Sequence, residues 1–218
     1  MGQQEGSPDL EVAFRLASES PFICGIVVTY GAAHNFRGMF RKSLVYQCVG
    51  GPSTSEAAEN KPIILTAQDA LQAGGDCVAI QWNARAADAK QHIALLSNFV
   101  LDAHQLRLPV LLMLQGIGKL NKSQLLDALR IACEIGADLI KINLPNCHEQ
   151  LTHSEIGFIK NLPPLLLAGG PRVSDEVIEV EVLRSIAIGF QGLCVGRQLL
   201  TSTNPMDLVK RLCQHYAN

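Results

Sequence analysis

No apolar run in this 218-residue chain is long enough to cross a bilayer, a crossing that takes about 20 such residues as a helix. An excess of charge is missing too. Eighteen Lys and Arg stand against 20 Asp and Glu, for a net charge of −2. The basic residues are scattered, with no aromatic–basic patch, so neither nucleic acid nor membrane is an expected partner. None of the seven cysteines, Cys24, Cys48, Cys77, Cys133, Cys147, Cys194 and Cys213, forms a CxxC pair, and their number is odd. This argues against a disulfide framework or a zinc site and predicts reduced, core-filling thiols in a cytoplasmic protein. No histidine pair has metal-ligand spacing with a carboxylate, so no metal is expected. GxSxG, Walker and GxGxxG motifs are all absent, which removes the usual marks of serine hydrolases, P-loop enzymes and dinucleotide binding and leaves no cofactor implied. The start, MGQQEGSPDLEVAF, lacks the basic stretch and apolar run of a secretory signal. It does place Met-Gly and a serine where a myristoylation pattern wants them, a short pattern of the kind that matches by accident.

What is present is a large apolar fraction, 48%, against 17% charged residues, enough for one sizeable core in a single domain. Short apolar runs alternate with amphipathic segments. The runs ICGIVVTYG (23–31), SLVYQCVG (43–50), KPIILTA (61–67) and DCVAIQWNA (76–84) read as strands. So do LPVLLMLQG (108–116), ADLIKIN (137–143), PPLLLAGG (163–170) and GLCVGR (192–197). Most lack polar alternation, as strands covered on both faces do. Helical spacing marks residues 86–105, 121–136, 174–189 and 204–216, with Asn121 or Ser123, Ser174 and Asn204 as caps and Gly136 and Gly189 as stops. Eight strands with helices between them predict an α/β fold, a (β/α)8 TIM barrel over residues 1–218. The linkers AAHNFRGMFRK (32–42) and PSTSEAAEN (52–60) are near the shortest crossover that parallel strands allow, so the first two βα units are expected to be shortened. A doubly wound open sheet is the alternative architecture.

Within GADLIKINLP (136–145), Lys141 interrupts an otherwise apolar strand. Alternation puts Leu139, Lys141 and Asn143 on one face and Ile140 and Ile142 on the other. In a barrel, the lysine face is the lumen and its carboxyl end is where such folds hold their chemistry. A partly desolvated lysine becomes a competent amine nucleophile, and the natural reaction is Schiff-base formation with a carbonyl compound. The rival reading is a lysine that reaches solvent or pairs with an acid. Two strands further along the chain strengthen the first reading. LLLAGGP ends in Gly169 and Gly170, and GLCVGRQ ends in Gly196 and Arg197. The last two loops of this fold commonly grip phosphate, and arginine offers a planar donor fork for it.

The segments GADLIKINLP, LPVLLMLQG and PPLLLAGGPRVSDEVIEVEVLRSIAIGFQGLCVGRQLL make the chain resemble the archaeal-type class I fructose-bisphosphate aldolases, within the deoxyribose-phosphate and autoinducer-2 aldolase-like superfamily. The resemblance runs from about Asp76 to the end of the chain. It implies a Schiff-base-forming aldolase acting on a small phosphorylated sugar or ketose, and a homo-oligomer. Lys141 is then the Schiff-base lysine, Gly169, Gly170, Gly196 and Arg197 hold the phosphate, and Gln115 and Asn143 contribute to substrate binding. Two positions depart from the family pattern. Asp-His-Gly at the end of the first strand is replaced by Thr29-Tyr30-Gly31, and the acid/base tyrosine is replaced by Gln115. Tyr30 and His34 are the residues proposed to take over proton transfer, with His148 also near the active face. A phosphosugar-binding protein without catalysis, or a related acyl-transfer or condensation enzyme, are the alternatives.

Overall fold

Residues 10–36, 40–51 and 60–217 are described by the computed structural model. The Met-Gly start and the linker 52–59 lie outside them. Seven parallel strands form one sheet: β1 (Gly25–Val28), β2 (Ser43–Gln47), β3 (Cys77–Asn83), β4 (Val110–Gln115), β5 (Leu139–Ile142), β6 (Leu165–Ala168) and β7 (Gly192–Cys194). Their spatial order is their chain order. A doubly wound sheet needs a reversal of order at a switch point, so that alternative is excluded. The sheet curls as a TIM-type half-barrel. Helices α2 (Tyr30–Phe36), α3 (Ala67–Gln72), α4 (Ala89–Gln105), α5 (Lys122–Glu134), α6 (His153–Lys160) and α7 (Asp175–Ala187) lie in the six connections between strands. Helix α1 (Leu10–Glu19) precedes the sheet, and α8 (Arg197–Leu200) and α9 (Pro205–Ala217) follow it.

Strand alternation explains which side is covered. Trp82 donates its indole N–H to Ala89 O at the start of α4, and Tyr46 donates its hydroxyl to Ala73 O at the end of α3. Their face of the sheet therefore meets the helices, and Ile80, Leu112, Ile140, Ile142 and Leu167 on that face are at most 1% exposed. The opposite, concave face is less covered: Gln81, Asn83, Gln115, Lys141, Asn143 and Cys194 are all half-buried there. Two carboxylates fasten strand starts to their neighbours. Asp76 accepts from Leu44 N and Asp138 from Val110 N, each at 2.8 Å, and each aspartate's own N–H returns to the same residue's carbonyl.

The segment 61–67, expected as a strand of the sheet, does not join it. Strand β2 already pairs with β3, and Cys48 N continues that ladder to Ala79 O, so no slot exists between them. Pro62 has no N–H to offer a ladder. The segment instead crosses the end of β2 antiparallel, with Ile64 N bonded to Cys48 O and Gly50 N to Pro62 O, and leaves Ile64 64% exposed. It then runs into α3, whose cap is a reciprocal Thr66–Asp69 pair. Asn121 with Gln124 and Thr152 with Glu155 form the same pair at α5 and α6, so three helices start on a satisfied first turn.

At the ends of the sheet, among the described residues, neither β1 nor β7 has an outer strand partner. Helix α1 packs on β1 and α9 on β7. Helix α9 also reaches the approach to β1, with Cys213 Sγ 3.8 Å from Phe22 O. Of the other thiols, Cys48 and Cys77 are core-filling. Burial pushes them up to about 12 and about 11.

One buried group gives the fold a pH dependence near neutrality. His92 of α4 is 9% exposed, and burial holds its imidazole below the usual range despite the nearby Asp88 carboxylate. The unfolded chain takes up a proton around 6.5 while the folded one resists it. Stability is therefore fully present above that pH and declines as pH falls through it. Urea midpoints measured from pH 7.5 down to 5.5 should fall for the native chain and stay flatter for His92→Leu. Equal slopes would remove His92 as the cause.

Candidate active site

Lys141 sits in β5 with Met113 opposite it on β4 and Leu166 opposite it on β6. The same register adds Gln81 beyond Met113 and Gly192 beyond Leu166. These five positions make one row across the concave face. A second row lies two residues nearer the carboxyl ends, where Asn83 faces Gln115 and Ala168 faces Cys194. Asn143 belongs to this second row, and its Nδ2 lies 3.5 Å from Ala168 O. Lys141 is half-buried, and among the described residues its ammonium has no hydrogen bond or ion pair. No carboxylate of the described residues is within ion-pair distance of it, which sets aside the reading in which the lysine pairs with an acid.

The two glycine turns lie above the neighbouring strands. Gly169 is three residues past Leu166, a rise of about 10 Å at ~3.3 Å per residue. Gly170 adopts a left-handed conformation with φ +58°, and a Cβ there would come within 3.3 Å of Asn143 Nδ2. Asn143 thus connects the lysine's face to this turn. Gly169 follows the last β6–β7 pair, Ala168 with Cys194, and the N–H of Gly170 donates to no acceptor among the described residues. Gly196 lies two residues past β7 and caps α8, and Arg197 opens that helix with its side chain exposed and without an acidic partner among the described residues. The face that holds the amine therefore rises to a turn with an unspent amide donor at Gly170, and a guanidinium without an acidic partner among the described residues follows the next strand.

Tyr30 and His34 are not brought to this face. Strand β1 ends at Val28 and α2 begins at Tyr30, so helical geometry rather than strand alternation directs the ring. The Tyr30 ring centroid is 6.2 Å from that of Tyr46, which is on the helix-covered side, and His34 packs 6.4 Å from Tyr30. Thr29 is occupied as well, its Oγ1 accepting from Ala32 N at 3.4 Å in the first turn of α2. His148, past β5, has Nδ1 2.8 Å from Pro145 O and pins its own loop. Gln115 keeps the expected place at the end of β4, where it leads into Gly116 at φ +76°. A Cβ on Gly116 would lie 2.8 Å from Asn83 Oδ1, so this turn accepts only glycine without rearrangement. Gly116→Ala should lower stability by about 1–3 kcal/mol in urea unfolding.

Three features escaped the sequence reading. Gln198, 3% exposed, bonds twice to Val173. Asn60 holds the end of β3, accepting from Asn83 N and donating to Asp88. Cys194 is on the lysine's face. Only the last could have been found from alternation along its strand. Among the described residues, no group of three or more His, Cys, Asp and Glu side chains is arranged to hold a metal, and no helix is long and apolar enough to cross a membrane.

Comparison with known proteins adds a lineage to this geometry. The family model described as DeoC/LacD family aldolase matches residues 1–202. Among curated proteins, 2-amino-3,7-dideoxy-D-threo-hept-6-ulosonate synthase of Halobacterium salinarum is 28% identical over 144 residues, 64% of this chain and 53% of that protein. The synthase 1 of the same name from Archaeoglobus fulgidus is 24% identical over 172 residues, 78% of this chain and 64% of that one. The chain thus spans between half and two thirds of the length of these relatives. Among solved structures, an archaeal fructose 1,6-bisphosphate aldolase superposes with a TM-score of 0.82 at 20% identity, covering 96% of this chain and 84% of that one. A Schiff-base-forming fructose-1,6-bisphosphate aldolase does so with 0.81 at 22%, covering 94% and 83%. These likenesses show a common fold.

Proposed function

The chain belongs to the DeoC/LacD aldolase family, and from that premise we propose that it is a class I aldolase acting on a small phosphorylated sugar or ketose through Lys141. One observation carries the reading: a half-buried lysine without a partner among the described residues occupies the face that rises to the Gly169–Gly170 turn. In the proposed cycle, the neutral Lys141 amine attacks the substrate carbonyl carbon, and the resulting carbinolamine loses water to give an iminium. The adjacent carbon–carbon bond then breaks as a hydroxyl proton leaves. Its electron pair moves into the iminium, which becomes an enamine. Protonation and hydrolysis release the second product and restore the lysine; condensation is the reverse. The turn amides and Arg197 bind the phosphate, which holds the carbonyl against the amine and converts an encounter into an intramolecular step. Asn143 and Gln115 orient the hydroxyl groups of the substrate.

The strand residues of the concave face include carboxamides and thiols but no carboxylate, phenol or imidazole. Carboxamides do not titrate usefully, so in this proposal the hydroxyl proton passes to solvent at the open mouth. Schiff-base formation then outpaces carbon–carbon cleavage. The test is borohydride reduction in the presence of dihydroxyacetone phosphate, followed by peptide mapping. An adduct on Lys141 is the expected result, and an adduct elsewhere or none at all overturns covalent catalysis. The same lack of a titrating partner favours a second reading, a phosphosugar-binding protein without turnover. Binding of the ketose phosphate with neither adduct nor products would select it.

A further inference from the structure

Beyond Ala168 and Cys194 the ladder between β6 and β7 ends, and among the described residues no backbone hydrogen bond joins 169–174 to 195–198. The two stretches are instead held by one side chain. Gln198 Oε1 accepts from Val173 N at 3.0 Å, and its Nε2 donates to Val173 O at 3.3 Å. A buried carboxamide is costly unless both ends are bonded, and here both ends serve a single residue of the neighbouring loop. The amide therefore replaces two missing rungs of the ladder. Its stem also lies beneath the glycine turn, since a Cβ on Gly169 would meet Gln198 Cγ at 3.5 Å and Val195 Cγ1 at 2.9 Å.

We propose that Gln198 is the positioning residue of the anion seat, fixing the Gly169–Gly170 turn relative to Arg197 so that both reach one phosphate. This inference rests on the reading of that seat given above. Gln198 itself touches no reacting atom. Its amide is spent on Val173, which leaves the Gly170 N–H for the ligand. Loss of the amide lets the turn and the guanidinium drift apart, and ligands with a phosphate suffer while neutral ones do not.

The experiment compares the native chain with Gln198→Met, which keeps the stem and removes both hydrogen bonds. Calorimetric titration with dihydroxyacetone phosphate and with inorganic phosphate is paired with borohydride trapping by dihydroxyacetone phosphate and by unphosphorylated dihydroxyacetone. Dissociation constants for the phosphate compounds should rise about 10- to 100-fold. Trapping at saturating ligand, and trapping by dihydroxyacetone at any concentration, should stay within about threefold of the native chain. Unchanged phosphate affinity in the variant overturns the proposal, and so does a native chain that binds neither phosphate compound. A native chain that binds them without forming an adduct refutes the covalent chemistry alone, and a weaker variant then still supports the role of Gln198. Should Gln198→Met not fold, Gln198→Asn takes its place, with a smaller shift in the same direction.

Discussion

Replacing Lys141 by methionine is expected to abolish the borohydride adduct and to lower turnover on the order of 10⁴-fold or more, the scale seen when a covalent nucleophile is removed. Methionine matches the length and apolar stem of lysine, so the change isolates the amine. Folding should barely respond, because Lys141 is half-buried and makes no hydrogen bond or ion pair among the described residues. A midpoint of unfolding within about 1 kcal/mol of the native chain is the expected control. Lys141→Arg is the sharper companion: it keeps a positive charge at the same place yet cannot be deprotonated for attack. If the arginine variant retains activity, the lysine acts through its charge and the Schiff-base mechanism fails. If both variants lose turnover and also lose phosphate affinity equally, Lys141 is a binding residue instead.

The largest effect on stability is expected from Leu112→Ala. Leu112 lies in the middle of β4, in register with Ile80 on one side and Ile140 on the other, and all three are fully buried beneath the helices. Truncation there forfeits the transfer energy of the lost carbons and leaves a cavity that two neighbouring strands cannot close, at a cost of about 2–5 kcal/mol. For a chain of this size, a 3 kcal/mol loss corresponds to a fall in Tm of about 6–12 °C. Leu101→Ala on the outer surface of α4, where the side chain is 58% exposed, should change stability by less than about 0.5 kcal/mol. Urea unfolding of the two variants beside the native chain measures both values. A loss below 1 kcal/mol at Leu112 would mean that the central strands are not the core described above.

Much of this architecture could be read from residue order. Of the caps expected, Asn121 rather than Ser123 starts α5, and α7 and α9 begin directly after Ser174 and Asn204. The shared face of Lys141 and Asn143 follows from strand alternation and needed no tertiary information. The segment 61–67 was misread because Ile63-Ile64-Leu65 matches a buried strand in composition, whereas its fate depended on whether β2 had a free side. The Thr66-Ala67-Gln68-Asp69 capping signal, which marks α3, lies at the end of that run. Its helix was the neglected clue. Tyr30 and His34 lie where alternation no longer applies: the strand stops at Val28, and one residue of turn into α2 sets Tyr30 beside Tyr46 and His34 beside Tyr30. Gln198 was illegible because its partner lies 25 positions away, and nothing local distinguishes it from any other polar residue in a short helix.

The terminal strands of the sheet have a consequence for the chain's behaviour at high concentration. A sheet with two free borders offers backbone donors and acceptors on which another molecule can extend it, the usual beginning of edge-to-edge aggregation. Here β1 has four residues and β7 only three, too little for firm templating, and α9 packs on one border while Cys213 reaches the approach to the other. The last helix thus lies against one border and the approach to the other, and shortening it should leave both more open to intermolecular strand growth.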